Sequence, residues 1–231
     1  MLPEPGHGGI ALVLRIASTE GHPSDGHMSS SVVLPLAREQ VAGAAAVLTR
    51  AFQDEPLSLY LVPDAEERAS SCSSVFTAWI RTPGVIADGT TTGGGALAGV
   101  ALWEHTNMTE PDPNLAERDD LPPVGVRDWS PPAQERFRVY FGYMEALHAR
   151  LIPEAHWTLS LLGVDPAHQG RGYGTALLTD RLARIRAAGL PCYLTTGSVR
   201  NVAFYQRQGF QVIEHGLVPR TGLRFWALRR D

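Results

Sequence analysis

The run Leu161-Leu162-Gly163-Val164-Asp165-Pro166-Ala167-His168-Gln169-Gly170-Arg171-Gly172-Tyr173-Gly174-Thr175 constrains this chain more than any other part of it. An apolar strand enters a loop, and the loop enters a helix whose Leu178, Leu182 and Ile185 fall on one face. Gly170, Gly172 and Gly174 carry no Cβ, so backbone N–H groups there can approach a ligand closely. Those groups open a helix, where the dipole also favours negative charge. Arg171 adds a cation beside them, and the turn as a whole offers a cradle for a phosphate or pyrophosphate.

Two nucleotide fingerprints do not fit. A dinucleotide turn wants a third glycine where Thr175 stands, and the segment Leu190 to Thr196 has no carboxylate for a ribose. A P-loop fails because no Gly-Lys-Ser/Thr follows. What remains is the pattern Gln/Arg-x-x-Gly-x-Gly/Ala, met by Gln169, Gly172 and Gly174. Downstream, Asn201 and Tyr205 lie four apart on a predicted helix and share a face, so an amide and a phenol can reach one ligand. Phe204 and Phe210 read as core residues; Tyr205 taken alone could equally cover the edge of a sheet.

With these two segments together, the chain resembles the GNAT acetyltransferase superfamily, and within it the small-molecule enzymes of the puromycin N-acetyltransferase type. The resemblance rests on the strand ending in Gly163-Val164, on Asp165-Pro166-Ala167-His168-Gln169-Gly170, and on Arg200-Asn201 ahead of Phe204-Tyr205. It implies an α/β (α+β) fold: a mixed, mostly antiparallel sheet, splayed between its central strands and flanked by helices. It implies acetyl-CoA entering that splay. Pantetheine would meet backbone at Leu162, Gly163 and Val164. The pyrophosphate would meet Gln169, Gly170, Arg171, Gly172, Tyr173, Gly174 and Thr175, and Asn201 would bind the pantetheine arm or a phosphate. Tyr205 would reach the thioester sulfur as general acid.

The general base is the open point. Relatives often carry a glutamate one residue after the position of Leu194, but this chain has Thr195, which can position water without taking a proton. Glu104, just past a predicted strand, is the substitute chosen here; its alternative is a solvated strand end. His156 and a water chain are further candidates. The implied reaction is direct attack of a small-molecule amine on the thioester in a ternary complex. Alternatives are a weakly catalytic acyl-CoA-binding sensor, a protein N-terminal acetyltransferase and an O-acetyltransferase.

The remainder frames this site. Residues 1–30, rich in Gly, Pro, Ser and His, read as a flexible leader whose His7, His22 and His27 are too loosely spaced to suggest a metal. Residues 31–231 read as one domain. Strands are predicted at Val32 to Leu36, Val85 to Ala87, Ala96 to Trp103, Trp157 to Val164, Pro191 to Thr196, Phe210 to Ile213 and Arg224 to Leu228. Helices are predicted at Val41 to Phe52, Ala65 to Ile80, Ala133 to Arg150, Thr175 to Ala188 and Val199 to Arg207. Residues 105–132, with six prolines between Thr106 and Pro132, read as a long loop insertion, either disordered or a substrate lid. The strand at Arg224 to Leu228 is expected at a sheet edge, where it could pair subunits, so a monomer and a homodimer both remain open.

Composition narrows the partners. A formal charge of −4 gives no support for a nucleic-acid or polybasic membrane surface. All 20 basic residues are arginine, which removes lysine from the list of catalytic bases. Cys72 and Cys192 form no CxxC pair and read as reduced thiols. No apolar run approaches the roughly 20 residues of a membrane span. The expectation is a cytoplasmic protein with no metal.

Overall fold

Near-continuous apolar runs in the central strands require covers on both faces, and helices supply them. The computed structural model describes residues 32–106, 126 and 128–231; the predicted leader and most of the 105–132 loop lie outside them. Among the described residues, seven strands form one sheet: β1 (Val33–Pro35), β2 (Ile86–Thr91), β3 (Leu97–His105), β4 (Trp157–Val164), β5 (Cys192–Thr196), β6 (Gln211–Leu217) and β7 (Arg224–Arg230). Their order is β1-β2-β3-β4-β5-β7-β6, and every pairing is antiparallel except β4 with β5.

On one face lie α1 (Val41–Phe52), α2 (Pro56–Leu61), α3 (Ala65–Ile80) and α4 (Pro131–Leu151), packed on Val100, Leu102 and Leu161. On the other lie α5 (Tyr173–Ala187) and α6 (Val199–Arg207), packed on Ala101, Trp103, Leu159, Leu162 and Leu194. Odd and even residues of β3 thus serve different cores, as strand geometry demands. Each fully buried Leu or Phe in these layers stabilises the fold by roughly 1.5–3 kcal/mol.

The one parallel contact is short. Only Trp157↔Cys192 and Thr158↔Tyr193 are in register, although β4 runs on to Val164 and β5 to Thr196. The sheet therefore opens into a V between the C-terminal parts of these strands, which is the splay the resemblance implies. A bulge at Ser160 of β4, which faces the step between Leu102 and Trp103 of β3, adds to the local twist.

Most predicted elements stand, with three corrections. Asp54-Glu55-Pro56, which reads as a break after α1, also starts α2 at Pro56, because proline suits the first turn of a helix. Strand β2 continues past Ala87 to Thr91. The strand at Arg224 is no edge: β7 lies between β5 and β6, so both its sides are paired and it cannot join subunits as proposed. Among the described residues the edges are β1 and β6. Cys72 and Cys192 are buried and unlinked. No described helix is long and apolar enough to cross a membrane.

Candidate active site

The predicted cradle forms where β4 ends. Asp165 caps a short 3-10 turn through its own carboxylate, which accepts from the Ala167 N–H at 3.0 Å. Arg50 of α1 grips the same carboxylate at 2.6 Å and ties this loop to the first helix. Burial acts to raise the Asp165 pKa, but the Ala167 N–H and Arg50 together outweigh it and hold the group below its ordinary value. The Gln169 side chain then turns back and donates to the Val164 carbonyl at 2.9 Å.

Gly170 and Gly172 take φ of 75° and 85°, a left-handed region that other residues enter at a cost. Gly172 is the N-cap of α5, so the helix begins two residues earlier than its apolar periodicity suggests. A cleft at this turn is lined by Val164, Gln169, Gly170, Gly172, Tyr173, Gly174 and Thr175. Three residues join it that sequence reasoning did not assign there: His168, Phe204 and Arg207. Arg207, in the last turn of α6, brings a cation to the cradle from the far side of the V. Its spacing of three from Phe204 is the signal that could have found it. Arg171 is exposed and does not line the cleft.

Further along β4 the predicted residues divide by face. Leu162 is buried beneath α5 and α6. Gly163 faces α1: a Cβ there would stand 2.7 Å from Leu48 and 2.9 Å from Phe52. Its missing side chain thus lets α1 close on the sheet. Across the V, Asn201 is 1% exposed and donates to the Thr196 hydroxyl at 3.2 Å, which anchors α6 to the end of β5.

Tyr205 is fully buried among Phe204, Phe210 and the α5 core, and its hydroxyl has no hydrogen-bond partner in the structure. Burial, and then the nearby Cys192, raise its pKa well above the ordinary phenol value. The group is a proton donor across the whole neutral range. An unpartnered buried hydroxyl is a polar atom whose partner a ligand could supply; Tyr205 does not itself line the cleft, but its neighbour Phe204 does.

Glu104 lies on the opposite face of the sheet. One carboxylate oxygen accepts from Trp79 Nε1 at 3.1 Å and from Ser160 Oγ at 2.6 Å. Burial raises its pKa, and those two donors act in the other direction. It belongs to the row Glu104–Thr158–Tyr193 at the base of the V, where β4 and β5 are last paired. His156 is held elsewhere: its Nε2 is 2.6 Å from His148 Nε2 and its Nδ1 is 2.6 Å from the Glu154 carbonyl. Thr195 is buried on β5.

Residues 135–212 match the family model described as the acetyltransferase (GNAT) domain. Among solved structures, the chain is similar to a protein of Corynebacterium glutamicum named histone acetyltransferase HPA2 and related acetyltransferase. That pair shares 23% identity, with 87% of this chain and 96% of the other covered, at a TM-score of 0.63. Arylalkylamine N-acetyltransferase 2 of Aedes aegypti shares 12% identity, with 87% and 99% covered, at 0.57. An agmatine N-acetyltransferase shares 18%, with 87% and 99% covered, at 0.54. The fold of these structures is the one described above: a seven-stranded, mostly antiparallel sheet flanked by helices.

Proposed function

We propose that this chain, which carries a GNAT acetyltransferase domain, moves the acetyl group of acetyl-CoA to the amine of a small molecule. The observation that carries the reading is the V between β4 and β5. It has a left-handed glycine cradle at one end, and α6, which carries the buried and unpartnered Tyr205 hydroxyl, adds Phe204 and Arg207 to the cleft there.

The cradle fits a pyrophosphate: positive-φ glycines, the start of α5, and Arg207 facing it. The backbone of β4 beyond Thr158, unpaired on its β5 side, fits an extended pantetheine arm, which can bond to it as an added strand does. Backbone N–H near Val164 would stabilise the oxyanion formed as the amine attacks. Tyr205 would protonate the leaving thiolate. Glu104 is the sequence-based choice for the proton acceptor. The neighbours named for agmatine and arylalkylamines favour an amine over an alcohol as acceptor class, and an aminonucleoside-like antibiotic belongs to the same class.

The test is release of free thiol from acetyl-CoA in the presence of amines, polyamines, amino alcohols and peptides. Release with small amines supports the reading. Release with peptides or alcohols only overturns the acceptor class, and tight coenzyme binding with no release on any acceptor points to a sensor.

A further inference from the structure

Three rings with no part in acetyl transfer meet at the base of the V. His148 lies in the last turn of α4 and stacks on Tyr193 of β5, with ring centroids 4.5 Å apart and planes 5° from parallel. His156, just ahead of β4, meets the Tyr193 ring at 6.4 Å and the His148 ring at 4.8 Å, both edge-on. Tyr193 is fully buried and belongs to the rung Thr158↔Tyr193, where β4 and β5 are last paired. A helix and both diverging strands thus come together at one point.

The contacts assign the protons. A carbonyl oxygen only accepts, so His156 Nδ1, 2.6 Å from the Glu154 carbonyl, carries a hydrogen. In the neutral ring its Nε2 is then an acceptor. The contact of 2.6 Å between His156 Nε2 and His148 Nε2 therefore takes its hydrogen from His148. One added proton is tolerated, because a single N–H still lies between the two rings. It is best placed on His148, at the C-terminal end of α4 and over the face of Tyr193, since both favour a cation. A second proton puts an N–H on each Nε2. Two cations then face each other with no acceptor between them, and the contact cannot persist.

His156 is the fixed member. Its N–H donates to Thr106 Oγ1 at 3.0 Å and its carbonyl accepts from the Thr106 N–H at 3.1 Å, which ties it to the end of β3. The nearby charges are matched among themselves: Glu154 and Asp231 flank Arg229 of β7, and Arg150 of α4 binds Glu214 of β6. His105 of β3, and Tyr140 and Tyr143 of α4, also face this region. Burial lowers the His156 pKa; the Glu154 carbonyl and carboxylate act the other way, and His105 and Arg229 add to the fall. The hold of the pair is therefore complete above the ordinary imidazole value of about 6.5 and is lost as pH falls below it.

We propose that His148 and His156 form an acid-released latch. While one hydrogen lies between them, α4 is held to the base of the V; when both rings are charged, the end of α4 is freed. The same helix carries Tyr140, about two turns earlier, in the wall of a pocket shared with Leu57 of α2, Leu223 and Gly197 just past β5. Freeing α4 thus alters the face of the gap left for an acceptor, while the glycine cradle, on the α5–α6 face, keeps its shape. Acid therefore weakens acceptor use before it weakens coenzyme binding. That effect on turnover rests on the amine-acetylation reading; the latch does not.

The experiment uses the full chain. Imidazole nitrogen spectra of isotope-labelled protein at about pH 7.5 are expected to show His156 protonated at Nδ1 and His148 at Nε2. A hydrogen on both Nε2 atoms overturns the latch. His148→Gln is the informative variant: its amide N–H can still donate to His156 Nε2, but it cannot take up a proton. Thiol release from acetyl-CoA with phenethylamine is compared at about pH 7.5 and about pH 5.5. Ionisation of the amine affects both proteins alike and cancels in the ratio. On acidification the wild type is expected to lose roughly three- to tenfold more kcat/KM than His148→Gln, with CoA affinity, read by calorimetry, changing equally in the two. Equal losses of kcat/KM overturn the latch. If His148→Gln does not fold, His156→Gln replaces it, since its side-chain oxygen can accept from His148 Nε2. A wild type silent on every amine overturns the acetylation reading alone. The spectra and urea unfolding then judge the latch: the wild-type midpoint should drop further with acid than that of the Gln variant, and an equal drop overturns it.

Discussion

Arg181 on α5 holds Asp88 on β2 through a forked contact, with Nη2 to Oδ1 at 2.8 Å and Nε to Oδ2 at 3.1 Å. Both side chains are shielded, at 17% and 7% exposed, and the guanidinium lies 6.0 Å from the centre of the Trp157 ring. This pair fixes the helix that begins at the cradle to a strand two places away in the sheet. Burial raises the Asp88 pKa, and Arg181 offsets only part of that effect. Arg181→Met leaves a buried carboxylate without its cation, so a loss of about 3–5 kcal/mol is expected at neutral pH. A carboxylate whose folded pKa is raised weakens the fold as pH rises from its unfolded value toward its folded one. The loss should therefore shrink as pH falls toward 4. Urea unfolding of Arg181→Met at several pH values checks this; an equal loss at every pH would mean that the carboxylate charge is not its source.

Gly163 is predicted to matter through α1 as well as through the coenzyme. An added methyl meets Leu48 and Phe52, both fully buried, at distances below van der Waals contact. Gly163→Ala should lower stability by about 1–3 kcal/mol, the usual effect of overpacking a filled core. Truncating the neighbour, as in Leu48→Ala, would itself cost stability, but in the double variant the two effects should be less than additive. Thermal unfolding of the four proteins measures that coupling.

How much of this was legible in the sequence follows from the range of each interaction. Helices α1, α3 and α6 and strand β4 carry their own periodicity, and the structure places them where that periodicity does. The predicted strand stops at Ala87 because Asp88 and the Gly/Thr residues after it carry no apolar pattern; the partner that lets Asp88 be buried, Arg181, is 93 residues away. The closing hairpin is similar. Its strands are visible, but only pairing with β5 reveals that β7, and not β6, is interior. At the site, the glycine turn and the Asn201–Tyr205 face were readable because each is local. Arg207 was not assigned, since its place at the cleft depends on which strands diverge. A gap in a sheet has no sequence pattern of its own.

The cradle can be probed without touching packing. Gly172 has no neighbour within 4 Å of an added Cβ, so the cost of Gly172→Ala is the left-handed backbone alone. That cost is roughly 1–2 kcal/mol. If the turn must keep this shape to present its N–H groups, CoA affinity should fall by roughly tenfold, equivalent to about 1.4 kcal/mol. Arg207→Met should lower affinity for CoA with no such loss of stability. Calorimetric titration with CoA, set beside unfolding midpoints, separates the two effects. Unchanged affinity in both variants would move the pyrophosphate away from this turn.

Tyr205 separates structure from chemistry most cleanly. Its hydroxyl is buried with no partner, so the fold gains nothing from it in the free protein. Tyr205→Phe should leave stability unchanged or raise it by about 1 kcal/mol, because an unsatisfied buried polar group is removed. Turnover should fall by roughly 100-fold if the hydroxyl protonates the leaving thiolate, while CoA binding persists. Burial keeps the phenol protonated far beyond neutrality, so the wild type should show no alkaline decline from this group at pH values where an ordinary tyrosine, near 10, begins to titrate. A substrate whose thiol leaves easily, such as an aryl thioester, should restore much of the variant's rate, since a good leaving group needs no acid. Unimpaired turnover with acetyl-CoA in Tyr205→Phe would assign the proton to another donor and leave Tyr205 as a packing residue of α6.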